Sequence, residues 1–252
     1  DFGEDDDDDL IDEEEEDKID IDIDKIRELF NEYELLNQLD HPNVVKVYGF
    51  YNGDKKYNPA ILIEHCKCNL EDAFKKSVND IDLITFIYEI CSAMKYLHKR
   101  KIIHRDLKTK NILITNNKHV KICDFGISTV VDVTTYTSMT HGIGTTAYMA
   151  PELFVQDSKY NEKVDVYAFG VVLYFVLSKG IMPKFNGIGG YTKLKIPDSI
   201  NSFSQSIIKK CWSINPDERP SFKEIMNLIV ENEFKLIDKI DVKKVLDNLG
   251  LK

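Results

Sequence analysis

Residues 102–126 read IIHRDLKTKNILITNNKHVKICDFG, and the fold turns on how they are read. Two short apolar runs, Ile112 to Ile114 and Val120 to Cys123, flank the polar stretch Thr115-Asn116-Asn117-Lys118-His119, which is the pattern of a β-hairpin. HRDLKTKN, His104 to Asn111, precedes the first run, and Asp124-Phe125-Gly126 follows the second. Closing the hairpin brings Asn111 and Asp124 side by side. Asp106 and Lys108 converge on the same place, so the cluster offers hard oxygen donors for Mg²⁺, a carboxylate for a hydroxyl nucleophile and a cation for phosphate.

Outward from this stretch, the chain has 252 residues and is 43% hydrophobic, enough for a large core in one domain or two lobes. The formal charge of −10 is unevenly spread. Residues 1–17 hold 13 of the 43 carboxylates and no Lys or Arg, which leaves 30 acidic against 33 basic residues in the remainder, a net of +3. The acidic run repels itself and has little to bury, so it is expected to be a disordered, solvated linker rather than a docking tail. No basic stripe points to nucleic acid. Cys66, Cys68, Cys91, Cys123 and Cys211 are odd in number and lack paired metal spacing, as suits reduced thiols. No apolar run approaches the 18 residues of a membrane span, and the amino terminus has no signal-peptide pattern, so the expectation is no membrane insertion and a cytoplasmic or nuclear, chiefly cytoplasmic, protein.

Ile23, Ile26, Phe30, Tyr33 and Leu36 fall at helical spacing, with Asp24 a candidate cap, while Ile19, Ile21 and Ile23 alternate as a strand would. The helix should stop near Asp40-His41-Pro42. Val44 to Phe50 and Ala60 to Ile63 read as strands, and Asn69 caps a short helix over LEDAFKKS. Ile84, Ile87, Ile90, Cys91, Met94 and Leu97 form the buried stripe of a long helix ending near His98. Asn161 to Ser178 is apolar nearly all round, the mark of a helix inside a lobe, with the carboxylate of Asp165 in need of partners. Phe203 to Trp212 and Phe222 to Val230 read as further helices, and Glu233 to Leu249 as a C-terminal extension of one or two.

HRDLKTKN, the DFG after VKIC, GTTAYMAPE over 144–152 and CWSINPDERPSF over 211–222 together resemble the protein kinase catalytic domain, of serine/threonine type in the tyrosine-kinase-like branch. The resemblance covers roughly 210 residues. It implies an α+β, two-lobed fold with a truncated small β lobe and a mainly helical large lobe: residues 1–17 acidic and disordered, 18–232 the kinase domain, 233–252 the extension. It further implies ATP and Mg²⁺ as cofactors and a protein hydroxyl as substrate. Asp106, Lys108 and Thr145 become the catalytic residues. Asn111 and Asp124 become the metal ligands, and the nucleotide would be bounded by Glu32, Ile63 at the gatekeeper position, Glu64 and Cys66 of the hinge, Leu113, Asn111 and Asp124. Asp165 would tie its helix to the catalytic-loop backbone, and Arg219 would pair with Glu152. The second DFG, Asp1-Phe2-Gly3, has no strand before it and reads as an ordinary turn.

The family's glycine-rich loop is missing from this sequence, and no lysine sits in an apolar strand ahead of Glu32. Lys18 follows six acidic residues, and Lys25 lies seven residues from Glu32 on one helix, about 10 Å away. Either the front strands precede Asp1, or the protein is a pseudokinase scaffold; Asp106, Lys108, Asn111 and Asp124 favour the enzyme. Lys108 two residues after Asp106, and Thr145, favour serine/threonine over tyrosine or dual specificity. The glycines of FNGIGGYTKLKIP, 185–197, disfavour the usual substrate-docking helix. Segment 128–140 offers Ser128, Thr129, Thr134, Thr135, Tyr136, Thr137, Ser138 and Thr140 for modification by an upstream kinase or by autophosphorylation, with Arg105 as the anion partner.

Overall fold

The computed structural model describes residues 23–54, 56–126, 128–130, 146–155, 159–184 and 195–251. The acidic run, Lys18, the Ile19–Ile21 alternation, Thr134 to Thr140, Thr145 and most of FNGIGGYTKLKIP lie outside them.

The fold is α+β. In the small lobe, α1 (Ile23–Asn37) packs on an antiparallel pair, β1 (Val47–Tyr51) and β2 (Ala60–Ile63). Phe30, Tyr33 and Phe50 meet in one aromatic cluster with centroids 5.4–5.9 Å apart, and Leu36 is buried below them. Asp24 does not cap this helix: it lies inside the first turn and pairs with Arg27 at 3.1 Å. The expected strand from Val44 begins only at Val47, because residues 43–45 pair elsewhere, with β6 (Val120–Ile122). There Val45 N–H donates to the Ile122 carbonyl at 2.9 Å, and Ile122 N–H to that of Asn43 at 2.8 Å.

β3 (Cys68–Asn69) pairs with β5 (Ile112–Ile114), which pairs with β6 in the expected hairpin. Asn69 caps α2 (Leu70–Ala73) by accepting from Asp72 N–H. This helix is shorter than LEDAFKKS, since the chain tightens into i→i+3 turns at Lys75 and Lys76. The long α3 (Asp80–Lys99) is capped by Asn79 and leads to β4 (Ile102–Ile103), whose partner is β7 (Thr129–Val130).

At the centre of the large lobe is α4 (Lys163–Leu177), in which every residue from Val164 to Val176 is buried. Around it stand α3, α5 (Ser202–Cys211) and α6 (Phe222–Glu231), the last opened by a Ser221/Glu224 capping box. In the extension only α7 (Val242–Leu249) is helical. Glu233, Phe234 and Lys239 adopt left-handed φ, which breaks the helix while Phe234 and Leu236 plug into the core. α7 docks on α3, where Asn248 Nδ2 donates to Thr85 Oγ1 at 2.9 Å.

Candidate active site

Hairpin register does what the sequence requires. Ile112 faces Ile122, so Asn111 and Cys123 are the next pair, and Cys123 N–H donates to the Asn111 carbonyl at 3.0 Å. Asp124 follows at once with φ of +66°, an exposed residue whose left-handed backbone swings the chain off the strand direction. Lys108 Nζ is ion-paired with Asp106 Oδ2. Asn111 Nδ2 donates at 2.9 Å to both the carbonyl and Oδ2 of Asp106. Asp106, Lys108 and Asn111 thus form one cluster, with Asp124 beside it.

Below the loop, Asp165 is buried at the start of α4, its Oδ1 accepting from Arg105 N–H at 2.8 Å. Its Oδ2 accepts from His104 N–H at 2.9 Å and lies 2.8 Å from His98 Nε2. Burial alone would push this carboxyl upward, but the His98 contact and the His104 amide outweigh it and hold the group below its ordinary range. The tie to the catalytic-loop backbone is the one expected from the resemblance; His98 is an addition that its place on an apolar helix did not announce. Arg105 is half-buried, with its guanidinium 5.5 Å from the Tyr160 ring centre.

Glu32 on α1 reaches the DFG turn. Its Oε1 accepts from Phe125 N–H at 2.8 Å, and a Cβ built on Gly126 would stand 3.4 Å from Oε2. Burial raises the Glu32 carboxyl above its ordinary value, the Phe125 amide partly offsets this, and the charge of Asp124 adds to the rise. The family resemblance implies a lysine partner for Glu32, but among the described residues Glu32 is tied to a backbone amide of the DFG. In the hinge, the Glu64 side chain turns away to Lys121 Nζ at 2.6 Å and Lys46 N–H at 2.7 Å. Ile63 is exposed on β2, Cys66 half-buried, and Leu113 lies on the face of β5 opposite the buried Ile112 and Ile114. Burial pushes the Cys123 thiol up to about 12, so it is a packing group.

Glu152 and Arg219 meet as a buried bidentate pair at 2.6 and 2.8 Å. The Asp106–Lys108–Asn111 cluster, the Glu32 tie from α1 to the DFG and this pair belong to one fold, and the comparisons agree with that geometry. The protein tyrosine and serine/threonine kinase family matches residues 18–229. The chain belongs to that family. This kinase chain is 34% identical over 226 residues to a probable serine/threonine-protein kinase of Dictyostelium discoideum, covering 82% of the chain and 16% of the relative. It is 32% identical over 227 residues to the serine/threonine-protein kinase CTR1 of Arabidopsis thaliana, covering 83% and 27%. Dual specificity protein kinase shkE of Dictyostelium discoideum is 34% identical over 216 residues, with 80% and 30% covered. The kinase chain thus spans between about a sixth and a third of the length of these relatives. Among the described residues no helix is long and apolar enough to cross a membrane.

Proposed function

We propose that this chain is the catalytic domain of a protein serine/threonine kinase, transferring the γ-phosphoryl group of Mg-ATP to protein hydroxyls. The observation that carries the reading is the cluster itself: a carboxylate paired to a lysine, with an asparagine amide bridging to it and a second carboxylate at the adjoining strand end. Asp106 accepts or orients the proton of the attacking hydroxyl, and Lys108 neutralises charge on the transferring phosphate. The Asn111 amide nitrogen is engaged on Asp106, so its oxygen is the atom it can offer a cation; with the exposed Asp124 carboxylate this makes an all-oxygen donor set that fits Mg²⁺. Bound Mg²⁺ would supply neutralisation of the nucleotide phosphates. By the family resemblance, Ile63, Glu64, Cys66 and Leu113 are assigned to the adenine side and Thr145 to catalysis.

The relatives' names favour serine/threonine over tyrosine specificity, as does Lys108 itself. Control falls to segment 128–140, phosphorylated by an upstream kinase or by the protein itself. The decisive experiment is Asp106→Asn in the full-length protein. Turnover should vanish while the melting temperature stays, and Mg-ATP should still stabilise the fold, by ~2.7 kcal/mol at about 100 Kd. An Asp106→Asn protein as active as wild type would remove the assignment. Absence of any Mg-ATP stabilisation in the wild type would favour a scaffold, and product containing only phosphotyrosine would overturn the specificity.

A further inference from the structure

Thr109 follows Lys108 directly and is 2% exposed; Tyr148, in the turn just ahead of Ala150-Pro151-Glu152, is 8% exposed. Their hydroxyls meet, Oγ1 to Oη, at 2.9 Å. Outside this pair the line continues in both directions. Tyr148 Oη lies 3.5 Å from Met182 Sδ, and Glu71 Oε2 of α2 lies 3.5 Å from Thr109 Oγ1. Valine and phenylalanine would fill the same space with no polar atom to bury, whereas two buried hydroxyls are tolerated only where they satisfy one another. What they add over packing is direction: a hydrogen bond fixes where one turn sits along the other, and apolar contact does not.

The direction matters because of what each turn carries. The residues assigned to nucleotide and metal come from α1, β2, β5 and β6, from the ends of those strands or from the link between β2 and β3. Tyr148 is carried by none of these; it lies in the turn Thr146–Tyr148 ahead of Pro151 and α4. We infer that Thr109 and Tyr148 are a positioning pair that seats this segment against Asp106 and Lys108 and sets how a protein substrate, not ATP, is presented. The inference rests on the phosphoryl-transfer reading.

The test uses full-length protein with casein and myelin basic protein as phosphate acceptors, comparing wild type with Thr109→Val, Tyr148→Phe, the double variant and Thr109→Ser. Either single hydroxyl deletion should lower kcat/KM for the protein acceptor about five- to tenfold, chiefly through KM, the equivalent of one net hydrogen bond. KM for ATP should stay within about twofold. The double variant should be no worse than either single one, because both delete the same bond, and Thr109→Ser should restore wild-type values. A merely structural role would reduce the active fraction and lower kcat for every substrate without this split. Unchanged kcat/KM, an equal rise in KM for ATP, or additive losses in the double variant would each overturn the pair. Asp106→Asn, run alongside, separates the two ideas: if it matches wild type, the phosphoryl-transfer reading fails and the pair falls with it, whereas an inactive Asp106→Asn beside fully active hydroxyl variants refutes the pair alone.

Discussion

Removing Glu152 should be among the most damaging single changes in the large lobe. The Arg219 side chain is fully buried, and its five N–H donors meet five acceptors. Nε donates to the Ser213 carbonyl at 2.8 Å; Nη1 to Glu152 Oε1 and the Lys163 carbonyl; Nη2 to Glu152 Oε2 and, at a long 3.4 Å, the Ile214 carbonyl. Glu152→Ala strips two of the five, both charge-assisted, and leaves the guanidinium with neutral carbonyls and the Tyr167 ring. At about 1.5–3 kcal/mol for each bond to a charged group the loss is ~3–6 kcal/mol, in line with the ~3–5 kcal/mol for breaking a buried pair. For a chain this size that is a fall in melting temperature of roughly 10 °C, readable by calorimetry or circular dichroism. The double variant Glu152→Met with Arg219→Met removes both charges and should recover most of the loss. A Glu152→Ala cost under about 1 kcal/mol would mean that water reaches the pair, and a double variant as unstable as the sum of the singles would mean that the two do not act as a unit.

Two further outcomes follow from the site. Glu32 has its carboxyl raised above 4.5, so the folded state favours the protonated form and ionisation at neutral pH opposes folding. Glu32→Gln keeps an acceptor for the Phe125 amide and should melt higher than wild type near pH 7, with the gap closing as pH falls towards 4.5, the ordinary value, and absent below it; a gap that persists below that pH, or a less stable variant at pH 7, would contradict this. The second concerns segment 128–140: replacing Thr134, Thr135, Thr137, Ser138 and Thr140 with Ala, and Tyr136 with Phe, should leave melting unchanged and lower phosphoryl transfer by about tenfold, the order of one charge-assisted bond to Arg105. Wild-type activity in that variant would refute control by this route.

Much of the large lobe is legible in the sequence because its signals are local. The hairpin register follows from two apolar runs and a polar turn, and α4 follows from being apolar on all sides. The boundaries that differ are those where a distant partner intervenes. Val44 has strand-like neighbours, yet β6 claims its backbone, and nothing within residues 44–50 announces that. The extension after α6 has helical periodicity, but burying Phe234 against the Tyr88 ring, 5.5 Å between centres, requires two successive left-handed residues that periodicity does not encode. Site identities are carried by motif, and so are the Asp165 tie and the Glu152–Arg219 pair, whereas other partners are not. Glu32 is placed by the family resemblance, but that it holds the Phe125 amide depends on where α1 sits. Thr109 and Tyr148 are 39 positions apart, and no spacing rule joins them.

The position of Asp124 is in consequence set from several sides at once. Among the described residues the edge of β6 that faces away from β5 has no neighbouring strand, yet its polar groups are taken up. Val120 N–H goes to Glu89 Oε2 on α3 at 2.7 Å and the Val120 carbonyl to Asn43 Nδ2 at 3.1 Å, while Ile122 exchanges both of its bonds with residues 43 and 45. One residue beyond Asp124, the Phe125 amide is held by α1. The metal loop therefore runs between an anchor in the large lobe, an anchor in the His41-Pro42-Asn43 turn and an anchor on a small-lobe helix. Buried polar bonds of this kind are costly to leave unmade, so α1 cannot shift by more than a hydrogen-bond length without either releasing Phe125 or carrying Asp124 with it. Movement of one small-lobe helix thus converts directly into displacement of the Asp124 carboxylate, the group proposed to hold Mg²⁺, with no intermediary beyond a single peptide unit.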